Sequence, residues 1–207
     1  MIRKILIPAF IILLVNVVSA QRFEGGLLLG FNGTQVEGDS FRGYNKPGIL
    51  GGAYVQTDLA PAIFAGMEIK YSQKGSRNKI KPKDTDPQKY IMRLNYIDVP
   101  FFVGFRTNDR GAVIGGISAG YLLSGKEFDA YGQYPPEDRN AFNSLDLQPF
   151  LGFQFDIFDQ LKLDLRFALS VLPIRGQPGD EATNYYWLNN QFNNVISLAA
   201  YYRLDRL

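Results

Sequence analysis

The sequence predicts an all-β protein: an eight-stranded antiparallel up-and-down transmembrane β-barrel with a small, side-chain-filled lumen. Three observations predict it. Apolar and polar residues alternate with a period of two in eight segments. Long and short connections alternate between those segments. The N-terminus reads as an export signal.

Arg3 and Lys4 form a short positive region, and Ile5 to Val18 is an apolar run broken only by Pro8 and Asn16. Val18-Ser19-Ala20 then supplies a small-x-small cleavage pattern, so Gln21 would open the mature chain. The run is about 14 residues, short of the roughly 20 a spanning helix needs. Residues 1–20 are therefore expected to be a cleaved signal peptide and residues 21–207 the barrel domain. Without Arg3 and Lys4 the 22 basic residues fall to 20, equal to the 20 acidic ones. No basic excess remains for nucleic-acid binding.

Each strand is expected to show two faces. Phe23, Leu27, Leu29 and Phe31 oppose Glu24, Gly26, Gly30 and Asn32. Residues 48–57 read as a second strand whose glycines blur its facing. Ile63, Met67, Ile69 and Tyr71 then oppose Gly66, Glu68, Lys70 and Ser72. Ile97, Val99, Phe101 and Val103 oppose Asp98, Gly104 and Arg106. Val113, Ile117, Ala119 and Tyr121 oppose Gly116, Ser118 and Gly120. Leu151, Phe153 and Phe155 oppose Gly152, Gln154 and Asp156. Leu163, Leu165 and Phe167 oppose Lys162, Asp164 and Arg166. Ile196, Leu198 and Tyr202 oppose Ser197, Tyr201 and Arg203. About ten residues per strand is what a tilted strand needs to cross a bilayer.

Residues 33–46, 74–92, 125–145 and 173–193 are long and polar, whereas Asp58 to Pro61, Asn108 to Gly111 and Phe158 to Leu161 are tight. Outer-membrane barrels have this asymmetry, with short turns toward the periplasm. The termini would then be periplasmic and the long loops extracellular. Even-numbered residues are polar on both sides of the Phe158–Leu161 turn, so that hairpin requires an odd loop, expected to have three residues. Asp156 would then lie within reach of Lys162 and Asp164. Proline cannot donate to a ladder. A bulge is expected near Asp98–Pro100, and Pro149 is expected where a ladder begins.

Periodicity alone does not say whether the apolar face meets lipid or a core. Export, aromatics at strand ends (Phe23, Phe31, Tyr71, Tyr121, Phe158, Tyr202) and a polar face rich in Gly, Ala and Ser favour lipid outside. An eight-stranded lumen is only wide enough for side chains. Glu68, Lys70, Asp98, Arg106, Asp156, Asp164, Arg166 and Arg203 share the polar face as a candidate lumen network of four acids and four bases. Structural filling is the expected role, since unpaired buried charge is expensive. A proton path or a carboxylate pair is the functional alternative.

With Cys 0 and His 0, no disulfide, thiolate or imidazole metal site, Ser-His-Asp triad or Cys-His pair can exist. No catalytic residue, cofactor or metal is expected.

Tyr71-Ser72-Gln73-Lys74-Gly75, Leu94-Asn95-Tyr96-Ile97-Asp98-Val99-Pro100 and Ala119-Gly120-Tyr121-Leu122-Leu123, with the Ala20-Gln21 junction, carry a further signal. Together they resemble the PorT-like outer-membrane β-barrel proteins of Bacteroidota. The resemblance implies an eight-stranded outer-membrane barrel, and its founding member is tied to protein secretion. It supplies no catalytic motif.

The outer loops are the place to expect partners. Arg77, Lys79, Lys81 and Lys83 are candidate contacts to lipopolysaccharide phosphates, with solvated loop the plain alternative. Tyr185, Tyr186 and Trp187 are candidate glycan or protein contacts, or a girdle continuing the last strand. The expected function is a non-enzymatic outer-membrane barrel of a Gram-negative envelope, structural or accessory to a protein export assembly, with outer-membrane lipid and envelope or secretion proteins as partners. The alternatives are a barrel binding or transporting small apolar ligands and, less favoured without histidine, a lipid-modifying enzyme.

Overall fold

The computed structural model describes residues 23–39, 41, 43–78, 90–135, 141–176 and 190–204. The proposed signal peptide lies outside these residues, as do Lys79, Lys81, Lys83, Tyr185, Tyr186 and Trp187.

The described strands are β1 (Phe23–Glu37), β2 (Lys46–Ala60), β3 (Ile63–Lys74), β4 (Ile91–Arg106), β5 (Gly111–Phe128), β6 (Leu145–Phe158), β7 (Leu161–Leu169), β8 (Arg175–Gly176) and β9 (Asn190–Arg203). Strands β1 to β7 pair in sequence, β7 pairs with β9, and β9 returns to β1. All pairings are antiparallel, so eight strands close a barrel without a free edge. The two-residue β8 only extends the pairing of β9 at one rim. That rim is the loop end. The opposite rim, with connections at residues 61–62, 107–110 and 159–160, is the turn end.

Most strands run past the expected ten residues, to 18 in β5. The ladder continues beyond the apolar band, where Arg93, Lys126 and Asn194 face outward. There the outward face turns polar, so the apolar-out alternation disappears while the backbone bonds persist.

Even-numbered residues point inward along β1 to β4, and odd-numbered ones along β9. The facing of β2 follows: Leu50, Tyr54 and Gln56 are buried, and Ile49 is exposed. Outside, Leu29, Phe31, Ile69, Phe153 and Leu151 are among the large apolar side chains facing out. The small residues of the inner face make room for rings. A Cβ on Gly104 would lie 2.2 Å from the ring of Phe64, and one on Gly66 would lie 2.4 Å from that of Phe102. Phe64, Phe102, Ile114 and Phe150 form an apolar layer inside the barrel. Val36, Met92, Leu94, Tyr96 and Ile174 form another nearer the loop end.

Three register features differ from the sequence expectation. The β6–β7 turn has two residues, with Phe158 opposite Leu161, and a bulge at Ile157 supplies the odd residue that parity requires. Asp156 then faces Lys162 directly. Near Pro100 there is no shift. The β3–β4 pairing lapses opposite Val99 and Pro100 and resumes in the same register, because proline has no N–H to donate. The β4–β5 bulge lies earlier, at Leu123, between the pairs Asn95–Ser124 and Tyr96–Leu122. Beyond it the inward face of β5 switches to odd residues, which carries Glu127 into the barrel. Pro149 precedes only the β7 pairing, which begins at Phe150, for the ladder with β5 runs through it from Leu145.

Candidate functional site: the barrel lumen

The polar face resolves into separate clusters stacked along the barrel axis. In the middle, Arg166 on β7 reaches Glu68 on β3 at 2.5 Å and its neighbour Asp164 at 2.7 Å. The Tyr201 hydroxyl accepts from Arg166 and donates to Glu68, each at 2.8 Å. Lys70 pairs with the second Glu68 oxygen at 3.2 Å. The guanidinium lies 4.9 Å from the ring centre of Phe150 and 5.2 Å from that of Phe102. Four charges are thus taken from water, but each has an opposite partner, and the rings add cation–π attraction.

One level toward the loop end, Lys74 is held by Asp98 at 3.0 Å, Asp146 at 3.3 Å and the Gln148 amide oxygen at 2.8 Å. Its ammonium lies 4.5 Å from the centre of the Tyr96 ring. Asp146 also accepts from Ser170 at 2.6 Å and Asn193 at 2.8 Å. At the loop end, Arg175 forms a two-pronged pair with Glu127, both contacts at 2.7 Å, and donates to Gln191. The Tyr90 hydroxyl donates to the same carboxylate, and burial pushes that phenol up from its ordinary range.

Of the eight expected network residues, Glu68, Lys70, Asp164 and Arg166 meet in one cluster, and Asp98 joins Lys74 one level away. Arg106, Asp156 and Arg203 stand apart at the turn end. Arg106 pairs with exposed Asp58 at 2.5 Å, and Arg203 with Glu24 at 3.4 Å. These three flank the internal network, because the barrel opens to solvent at that rim. Arg77, an expected loop contact, forms a backbone bridge with Ile91.

Sequence reasoning had left out Lys74, Asp146, Glu127, Arg175 and Tyr201. Lys74 was legible, since it continues the even-numbered series Glu68, Lys70, Ser72. Glu127 was not, because the bulge at Leu123 reverses its parity. It pairs with Arg175 inside the barrel. Among the described residues no three carboxylates converge as metal ligands. The carboxylates of the two inner clusters are each tied to a cation, an arrangement suited to holding walls together.

A family model described as outer membrane protein beta-barrel domain matches residues 19–175. The chain belongs to the outer membrane protein beta-barrel domain family. No curated protein matches the sequence. Among solved structures, Ail of Yersinia pestis is similar at 14% identity and a TM-score of 0.52, covering 88% of this chain and 99% of that one. Ail in complex with the heparin analogue sucrose octasulfate gives 15% identity, a TM-score of 0.50 and the same coverage. Neisserial surface protein A is similar at 11% identity and a TM-score of 0.52, covering 90% of this chain and all of that one. At these identities the likeness speaks for the fold. This member of the outer membrane protein beta-barrel domain family is an outer-membrane barrel whose apolar exterior suits lipid.

Proposed function

We propose that the protein is a non-enzymatic anchor in the outer membrane, with an envelope structural role or an accessory role in a protein export assembly. The observation that carries this reading is the lumen. Apolar layers and fully buried ion-pair clusters alternate along it, which suits a plug better than a conduit. The working surface would then be the loops. In this reading residues 1–20 are a signal peptide, the termini are periplasmic, and the loops face outward. Arg77, Lys79, Lys81 and Lys83 would meet lipopolysaccharide phosphates, and Tyr185, Tyr186 and Trp187 a glycan or protein. The PorT-like strings at residues 71–75 and 94–100, and the Bacteroidota and Gram-negative setting they imply, put an export role beside the structural one. Small apolar ligands find less support, because the turn-end cavity is lined by Glu24, Gln56, Arg106 and Lys162.

Reconstitution into planar bilayers tests the plug. The expected result is no stable conductance step, and a reproducible open channel would overturn it. Cross-linking in native envelopes tests the loops. Secretion proteins recovered at the loops favour the export role, and lipopolysaccharide alone favours the structural one.

A further inference from the structure

At the turn end the lumen widens into a cavity of about 640 Å³. Tyr54, Gln56, Phe64, Gln154 and Tyr201 line it, and all five are buried. The Tyr201 hydroxyl is committed to Glu68 and Arg166, so the central cluster forms the cavity's closed end.

Two opposite charges inside this cavity attract each other without closing into an ion pair. Lys162 and Asp156 face one another across the β6–β7 ladder beside the Ile157 bulge. Both are half-buried and line the cavity. Neither forms an ion pair among the described residues. The Lys162 ammonium makes one long contact, 3.4 Å to the Gln56 amide oxygen, and lies 5.6 Å from the centre of the Phe64 ring. Of the other cations lining the cavity, Arg106 holds Asp58, Arg203 holds Glu24 and the Asp159 carbonyl, and Arg110 lies exposed at the turn-end rim. A third group points to a ligand independently. Gln154, 4% exposed, donates its amide to Asp164 at 2.7 Å, yet its own amide oxygen has no partner. Gln154 lies two residues from Asp156 on the same inner face and diagonal to Lys162, about 7–8 Å away by strand geometry.

A cation, an anion and a spare acceptor are therefore arranged around one polar space. We propose that the turn-end cavity binds a small zwitterion of the α-amino acid or short-peptide class. Its carboxylate lies on Lys162, and its ammonium lies between Asp156 and the Gln154 amide oxygen. A ligand with one charge leaves the opposite wall charge unmet. The volume falls within the range of small-molecule sites. The anchoring role stands or falls separately.

The test uses the full-length barrel folded in detergent micelles, titrated with L-alanine and L-alanyl-L-alanine and followed by NMR shifts of turn-end amides. Saturable binding of either probe is expected, with the tighter one separating the free amino acid from the short peptide. Lys162→Met and Asp156→Asn should each weaken it about tenfold to a hundredfold, as lost charged hydrogen bonds do. Lys162→Arg should retain it. N-acetyl-L-alanine and L-alaninamide, each lacking one charge, should bind about tenfold or more weakly. Heat-dependent gel mobility confirms that each variant is folded. Absence of saturable shifts for both probes overturns the proposal, as does binding unchanged in folded Lys162→Met or equal binding of the single-charge analogues.

Discussion

Arg166 and Glu68 stand on diametrically opposite strands of the barrel, β7 and β3, and meet in its interior at 2.5 Å. The pair spans 98 residues of sequence and ties together walls that share no backbone hydrogen bond. Closure of the ladder sets the circumference. This pair and its neighbours fill what the circumference encloses.

Breaking the pair on one side leaves a charge buried without its partner. Arg166→Met is expected to destabilise the barrel by about 3–5 kcal/mol. Asp164→Asn combined with Arg166→Met should recover a large part of that loss, since Arg166 is the cation that pairs with Asp164, while Glu68 keeps Lys70. Urea unfolding of the folded protein in detergent, read by far-ultraviolet circular dichroism and gel mobility, measures both. A double variant no better than the single one would refute the assignment.

Ring-for-glycine packing makes a second prediction. Gly104→Ala places a methyl group against the Phe64 ring and should destabilise by about 1–3 kcal/mol, the usual effect of overpacking. In a Phe64→Leu background the same substitution should be much milder. Equal effects in both backgrounds would mean that Phe64 does not occupy the space above Gly104.

The Leu123 bulge sets which residue of β5 faces Arg175. Deleting Leu123 removes the extra residue, so the ladder straightens with Ser124 still opposite Asn95 and Glu127 still opposite Met92, and the two-pronged contact survives. The expected outcome is a loop end as resistant to protease as the wild type, whereas Glu127→Ala, which removes the carboxylate, is cut faster there. Faster cutting of the Leu123 deletion would show that the present register does not hold Glu127 inward.

Asp39, beyond the end of β1, is half-buried with its Oδ2 shut off from solvent, and that desolvation pushes its carboxyl up from 3.8 to about 6. The folded chain therefore holds a proton that the unfolded chain has already released between those values. This contribution is complete below about pH 4 and is lost as the pH rises through 6. The thermal midpoint of the wild type should fall over that interval relative to Asp39→Asn, which cannot ionise, and run parallel to it above. Parallel curves throughout would show that Asp39 titrates normally.

Alternation alone determined a great deal here. Phe23 to Phe31, Ile63 to Tyr71 and Leu161 to Phe167 each announce a two-faced strand, and the uneven spacing between them announces two unlike rims. Because side chains in a strand point to opposite faces strictly by parity, those residues separate the apolar face from the polar one without coordinates, and the export signal and strand-end aromatics assign the apolar face to lipid. The same rule made Glu68, Lys70, Asp164 and Arg166 visible as inner charges. Parity fails where the ladder slips. The bulges at Leu123 and Ile157 are single-residue events with no composition of their own, and only pairing with a neighbouring strand reveals them. Which charges meet was also beyond the sequence, for Arg166 to Glu68 and Lys74 to Asp146 are contacts across a closed lumen. Their distances depend on how many strands close it and in what register. Local chemistry thus decided which way each side chain points, and the closed tertiary structure decided what it finds there.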